Sequence, residues 1–342
     1  KSKYFSAERN IQVSLPHIYE TEPNYRFPVL YVTDASTQFN HVATTIDYLN
    51  GAISPIIVVG IFNPNRFPEL SPSAKGEANE QNPTEKLQQF IIEEVKPYIE
   101  KHYRTAPYSI LSGHSLGGAF ALDTYVKYPE SFNAFVPLSP TLAWGNESLL
   151  EAVPNKLKAK EQPDLAIYFE GISSFPTPKK SYQALSLMLG ADNLKHHNFV
   201  VELLHDEDHG TVAHLGLYKA VKLFFKGWLI SFNDLVKDKL TFDKHYQSLS
   251  RKLGYQVAPT ENDLWMLVSA LIQRKKLNTA QYVASKANEL YPNSHYSQDL
   301  LADVAAANNN IQLAKSHLLK AYKLAEGDEK RQQHYQQKRA KL

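Results

Sequence analysis

Tyr108-Ser-Ile-Leu-Ser-Gly-His-Ser115-Leu-Gly-Gly-Ala-Phe-Ala-Leu122 is the stretch that decides how this chain folds. A short apolar run enters Gly113-His-Ser115-Leu-Gly117, and small, apolar helix formers leave it. A strand that turns sharply into a helix gives the G-x-S-x-G pattern its chemical meaning. The serine then sits on a tight, strained turn with its hydroxyl clear of the sheet. Side chains at Gly113 or Gly117 would collide with neighbouring backbone. The helix that starts after Ser115 aims free N–H groups at a developing oxyanion. The motif occurs once. Ser115 is the expected nucleophile, and an ordinary small-residue turn at a strand end is the plainer alternative.

Working outward, residues 1–230 alternate strand-like and helix-like segments, the pattern of a mostly parallel sheet with helices on both faces. The predicted strands are Ile11–Leu15, Pro28–Val32, Ile56–Ile61, Tyr108–Leu111, Ala134–Pro137, Leu165–Phe169 and Phe199–Leu203. Several are near-continuous apolar runs, as strands covered on both faces are. Helical patterns fall at about 84–100, 115–127, 180–190 and 212–230. Phe62–Pro83 is rich in Asn, Pro, Ser and Glu without periodicity. It reads as a long connection, either functional or simply solvated.

Past residue 235 strand signals vanish. An offset of 34 residues superimposes Leu277 on Ile311, Ala280 on Ala314, Lys286 on Lys320, Ala287 on Ala321 and Leu290 on Leu324. That is the tetratricopeptide period, with units at about 261–294 and 295–328, and an ordinary helical bundle is the alternative. The expected organisation is an α/β domain over 1–235 and a helical, tetratricopeptide-like domain over 240–342. Two units are fewer than a free-standing array needs. The helices should therefore pack against themselves, the α/β domain, a protein partner or another copy.

Composition narrows the function. The chain has 342 residues, 43% of them hydrophobic, and a net charge of +2 from 37 basic and 35 acidic residues. Nothing there marks a nucleic-acid or membrane-surface partner, and no apolar run approaches the roughly 20 residues of a membrane span. With no cysteine, disulfides, thiolate metal sites and cysteine nucleophiles are excluded. The chain starts at Lys1. Export after removal of a leader is the reading favoured over a cytoplasmic chain that was trimmed.

A serine hydroxyl needs a base, and in this arrangement the base follows the last strands. Val200-Val-Glu-Leu-Leu-His-Asp-Glu-Asp-His209-Gly supplies His209 just after a strand, with Gly210 to turn the loop. His205 is the nearest rival. His205, His209 and His214 could also be read as a zinc site. However, Gly210 interrupts the helix that chelation would need, so no metal is expected. For the acid, Glu170 ends the strand Leu165–Phe169, Asp164 lies at its wrong edge, and Asp206 and Asp208 are near His209 in sequence only. The oxyanion donors should be the N–H of Leu116 and a second from the loop after Pro28–Val32, where Ala35 is the candidate.

Together these stretches resemble a known family. Arg9-Asn-Ile-Gln-Val-Ser-Leu-Pro16, Phe27-Pro-Val-Leu-Tyr-Val-Thr-Asp34 and Val58–Asn63 leading to Arg66-Phe-Pro-Glu-Leu-Ser-Pro72 carry the likeness. Gly113–Gly118, Leu138-Ser-Pro140 with Trp144, and Asp208-His-Gly210 complete it. Over roughly residues 2–230 the chain is similar to the esterase branch of the α/β-hydrolases. That branch includes siderophore trilactone esterases (IroE-like and Fes-like), feruloyl esterases, S-formylglutathione hydrolases and mycolyltransferases. The C-terminal repeats resemble the helical extension of some bacterial members.

The resemblance implies acyl transfer to water through an acyl-serine, without a cofactor, on a small-molecule ester. It places Arg66 and Trp144 near the substrate, although Arg66 could serve a structural ion pair and Trp144 the core. It also marks a departure. Members often place the acid three residues after the glycine that ends the strand, and that position here is Ser174. The acid is then Glu170, or the enzyme works as a Ser–His dyad. A trilactone siderophore esterase is the first expectation. A generic carboxylesterase, an acyltransferase, or a non-catalytic interaction protein are the alternatives.

Overall fold

Apolar and aromatic runs make seven strands of one sheet in the computed structural model, which describes residues 2–72, 82–142, 147–157, 162–190 and 199–342. The strands are β1 Ile11–Ser14, β2 Phe27–Val32, β3 Ile57–Ile61, β4 Thr105–His114, β5 Ala134–Leu138, β6 Asp164–Glu170 and β7 Phe199–Leu204. They run in the order β1-β3-β2-β4-β5-β6-β7, and only β1 is antiparallel to its neighbour. Every residue of β2, β3 and β5 is buried, because helices cover both faces. The strand order reverses between β2 and β4. In open α/β sheets that switch point, at the carboxyl ends of the strands, is where a ligand crevice forms.

All the expected strands are present. β4 is longer than the apolar run Tyr108–Leu111 suggested, because β2 and β5 pair with it on both sides and carry it through Ser112 and Gly113 to His114. Around the sheet lie α1 Ala35–Tyr48, α2 Arg66–Leu70, α3 Pro83–Phe90, a π-helical turn Ile91–Val95, and α4 Lys96–His102. They are followed by α5 Leu116–Lys127, α6 Ser148–Leu157, α7 Thr177–Gly190 and α8 Val212–Phe224. Helix α1 escapes the sequence reading, since its Thr- and Asn-containing stretch has modest helix propensity. Burial of Phe39, Val42 and Ile46 against the sheet overrides that. Helix α2 likewise interrupts the expected irregular stretch Phe62–Pro83. The predicted helix 212–230 stops at Phe224, and Gly227 takes φ 87° just beyond.

The chain divides into two compact units, Lys1–Ile18 with Arg26–Trp228, and Tyr19–Tyr25 with Leu229–Leu342. The second holds α9 Phe232–Lys237, α10 Thr241–Leu253, α11 Glu261–Gln273, α12 Leu277–Leu290, α13 His295–Ala307, α14 Ile311–Leu324 and α15 Glu329–Lys341. Helices α11 and α13 start at residues 261 and 295, and α12 and α14 at 277 and 311, so the sequence repeat is a repeat of helix pairs. Ala280 and Ala287 are buried between helices with Leu264, Val268, Leu271 and Val304. A second cluster gathers Ala302, Leu318, Ala321 and Tyr335, so α15 closes the array. Among the described residues no helix is long and apolar enough to cross a membrane.

Candidate active site

Ser115 stands between β4 and α5 with φ 60° and ψ −116°, a conformation that costs an L-residue on the order of 1–3 kcal/mol. The neighbouring glycines make it possible. A Cβ on Gly113 would lie 2.2 Å from the Gly117 carbonyl oxygen, and one on Gly117 would lie 2.5 Å from Thr33 Oγ1. Backbone bonds pin the turn. Ser115 N donates to Leu138 O at 2.9 Å, and its carbonyl accepts from Thr141 N at 3.1 Å and Ala119 N at 3.0 Å. The Ser115 hydroxyl exchanges a hydrogen bond with Thr141 Oγ1 at 3.3 Å. In unliganded sites the bond from nucleophile to base often forms only with substrate present.

His209 is carried by the loop between β7 and α8. The Asp208 carboxylate shapes that loop by accepting from Gly210 N at 2.8 Å and Thr211 N at 2.9 Å. The imidazole Nδ1 lies 3.0 Å from Glu170 Oε1. The Ser139 hydroxyl donates to the other Glu170 oxygen and is 3.3 Å from the same Nδ1. Glu170 is 2% exposed. Burial pushes its carboxyl up, but hydrogen bonds from His209 and Ser139 outweigh that and hold it below the ordinary carboxylate range. A carboxylate therefore faces the far nitrogen of His209. It comes from the strand end and not from the Ser174 position, which is exposed.

The His114 ring lies 4.6 Å from that of His209, tilted by 44°. Burial, and then the charge of His209, push His114 down to about 4, so it is neutral near pH 7. Its Nε2 is buried without a hydrogen-bond partner. His41 and His214 are engaged elsewhere. His214 Nδ1 bonds to Thr45 Oγ1 at 3.2 Å and its ring lies 6.0 Å from that of His41. Among the described residues no three His, Asp or Glu side chains are grouped to hold a metal ion.

Leu116 and Ala35 are the first residues of α5 and α1, where backbone N–H groups have no intrahelical acceptor. Both residues are buried. Before Ala35, Asp34 sits in the left-handed region at φ 55° and ψ 46°. Its N–H donates to Asn63 Oδ1 at 2.9 Å, and its Oδ2 accepts from Arg66 Nε at 2.9 Å. Arg66 thus makes the ion pair that was its structural alternative, while its side chain stays 46% exposed. Trp144 lies outside the described residues. Sequence reasoning missed Ser139, Thr141, Asn63 and the Asp34 turn. Their signals were position, since each follows a strand at the carboxyl edge of the sheet, and, for Asp34, Asn63 and Ser139, a place within the stretches that carry the family likeness.

The profile of a family described as "Putative esterase" matches residues 2–198. The ferri-bacillibactin esterase BesA of Bacillus subtilis is 24% identical over 210 residues, 53% of this chain and 66% of that protein. A siderophore enterobactin esterase of Emericella nidulans is 32% identical over 115 residues, 29% of this chain and 37% of that protein. The chain thus spans just under two thirds of the first relative and about a third of the second. An IroE-like serine hydrolase from Shewanella oneidensis shares the fold, with a TM-score of 0.71 at 24% identity across 82% of this chain and 95% of that one.

Proposed function

This chain belongs to the family described as "Putative esterase", and from that premise we propose that it hydrolyses carboxylic esters through an acyl-serine intermediate. The observation that carries the reading is the strained Ser115 turn with His209 backed by a buried carboxylate. In this mechanism Ser115 Oγ attacks the ester carbonyl while His209 Nε2 takes the hydroxyl proton. The tetrahedral oxyanion accepts hydrogen bonds from the N–H groups of Leu116 and Ala35. Collapse breaks the carbon–alkoxide bond, and His209 returns the proton to the departing alcohol. Water, deprotonated by His209, then attacks the acyl carbon, and collapse breaks the bond to Ser115 Oγ, which takes the proton back from His209 as the acid leaves. Glu170 stays ionised throughout, holds the imidazole tautomer and stabilises the imidazolium.

The named activities of the relatives favour a siderophore trilactone over a generic ester. Exposed Phe67 adjoins half-exposed Arg66 in the stretch after β3, and exposed Ile172 and Phe175 follow Glu170 at the end of β6, so apolar side chains and a guanidinium are carried by segments that leave the carboxyl ends of the strands. Such a rim suits an aromatic, anionic acyl group. Residues 1–235 carry the chemistry in this reading, and the helix pairs of 240–342 serve self-association or a protein partner.

A fluorophosphonate probe should label wild-type protein at Ser115, and Ser115→Ala should stay folded while losing both labelling and p-nitrophenyl butyrate hydrolysis. Full activity in Ser115→Ala would overturn the mechanism. Ferric and iron-free trilactones, assayed beside simple esters with and without an alcohol acceptor, then separate siderophore hydrolysis from generic hydrolysis and from acyl transfer.

A further inference from the structure

Asn63 follows β3 and has no part in the mechanism above, yet its side chain joins two structures that the mechanism needs held still. Its Nδ2 donates to Glu69 Oε2 at 3.2 Å, and its Oδ1 accepts the Asp34 N–H at 2.9 Å. Glu69 is 1% exposed and anchored by Arg9, whose Nη1 and Nη2 each reach a carboxylate oxygen at 2.8 Å. Arg9 Nη2 also donates to Phe62 O at 3.1 Å, and the guanidinium lies 4.2 Å from the centre of the Phe5 ring. A carboxylate can only accept, so Glu69 selects the amide nitrogen of Asn63 and leaves the amide oxygen turned to Asp34.

That bond falls on a particular backbone. Asp34 holds a left-handed conformation that non-glycine residues seldom adopt. The ψ of Asp34 sets the plane of the next peptide, and therefore the direction of the Ala35 N–H. Arg66 tethers the Asp34 side chain, whereas among the described residues it is Asn63 that holds its backbone N–H. The turn also lies against the nucleophile's own helix, since a Cβ on Gly117 would come within 3.6 Å of Asp34 Oδ2.

We propose that Asn63 is a positioning residue for ester hydrolysis: by tethering the Asp34 N–H it keeps the left-handed turn that aims the Ala35 N–H at the oxyanion. The inference rests on the acyl-serine reading above. Oxyanion donors act on charge that develops only in the transition state. Loosening one lowers kcat and leaves substrate binding nearly unchanged.

The test compares Asn63→Ala with the exchange Asn63→Asp/Glu69→Gln, which keeps an acceptor for the Asp34 N–H and one amide donor between positions 63 and 69, using p-nitrophenyl butyrate, an alkylboronic acid that forms a tetrahedral adduct on serine, and thermal melting. Loss of an oxyanion donor costs about 10²–10³ in kcat. Asn63→Ala should therefore fall by roughly 30-fold or more in kcat with KM within about two-fold. Boronate affinity should fall by a similar factor, and the Asn63→Asp/Glu69→Gln exchange should recover most of the rate. Should the alanine variant melt too low to assay, Asn63→Ser, too short to reach Asp34, takes its place. Unchanged kinetics, equal losses in both variants, or a loss confined to KM would overturn the proposal while the esterase reading stood. A wild type that neither hydrolyses the ester nor reacts with the probe would overturn both.

Discussion

Ser115 keeps φ 60° because its surroundings leave it nothing better: glycines on either side admit the close approach, and three backbone hydrogen bonds hold the turn. Such strain is retained where it aims a group at its reaction. The same scale decides the acid. Glu170→Gln leaves the shape but replaces the acceptor that fixes the His209 tautomer. Its kcat should fall by about 10²–10⁴ with KM little changed, and a loss below about three-fold would favour a Ser–His dyad. His114 carries a pH signature. Its pKa drops from 6.5 unfolded to about 4 folded, so the unfolded chain takes up the proton first as pH falls. Its contribution is complete above 6.5 and is lost as pH falls through 4. Melting curves across that window should show wild type losing stability relative to His114→Asn, and parallel curves would refute the assignment.

At the scale of elements, α11 shows what a sequence motif can and cannot reveal. Thr260 and Asp263 form a capping box, at 3.0 Å and 3.2 Å, between residues three apart in sequence. The two N–H groups between them, Glu261 and Asn262, go to the Glu22 carboxylate at 2.9 Å and 2.8 Å, from a residue 239 positions away. Thr260→Ala should cost about 1 kcal/mol. Glu22→Ala, which orphans two donors in a part-buried place, should cost about 2 kcal/mol or more. Chemical denaturation of the two variants would rank them. The helices α1 and α2 were illegible for a related reason: propensity is a local property, and their burial comes from other elements, the sheet for α1 and the helices α3 and α5 for α2. The strands and the helix-pair repeat were legible because burial on both faces, and close packing at Ala280 and Ala287, leave periodic marks.

For the whole molecule, the Tyr19–Tyr25 loop between β1 and β2 belongs to the unit that is otherwise C-terminal. Asn24 Nδ2 donates to Glu261 Oε1 at 2.9 Å, and Glu22 caps α11. A chain ending at Trp228 would deprive this loop of those partners. Limited proteolysis of residues 1–228 should open a cleavage site within Tyr19–Tyr25 that the full chain protects. Equal protection in both would show that the loop is ordered without them.

From residue order alone came the alternating sheet, the single G-x-S-x-G turn, His209 as the histidine after the last strand, and the 34-residue helical repeat. Each of these is a pattern of neighbours along the chain, where periodicity, glycine and motif spacing are direct evidence. Tertiary structure decided which carboxylate faces His209, since Glu170, Asp206 and Asp208 are equally acidic in sequence. It also brought Asn63, Glu69 and Arg9 behind Asp34, and Glu22 to a helix more than two hundred residues away. These are contacts between strand ends and loops distant in sequence. Only the folded packing of sheet and helices sets their distances, because a hydrogen bond across 30 or 200 residues leaves no local periodicity to read.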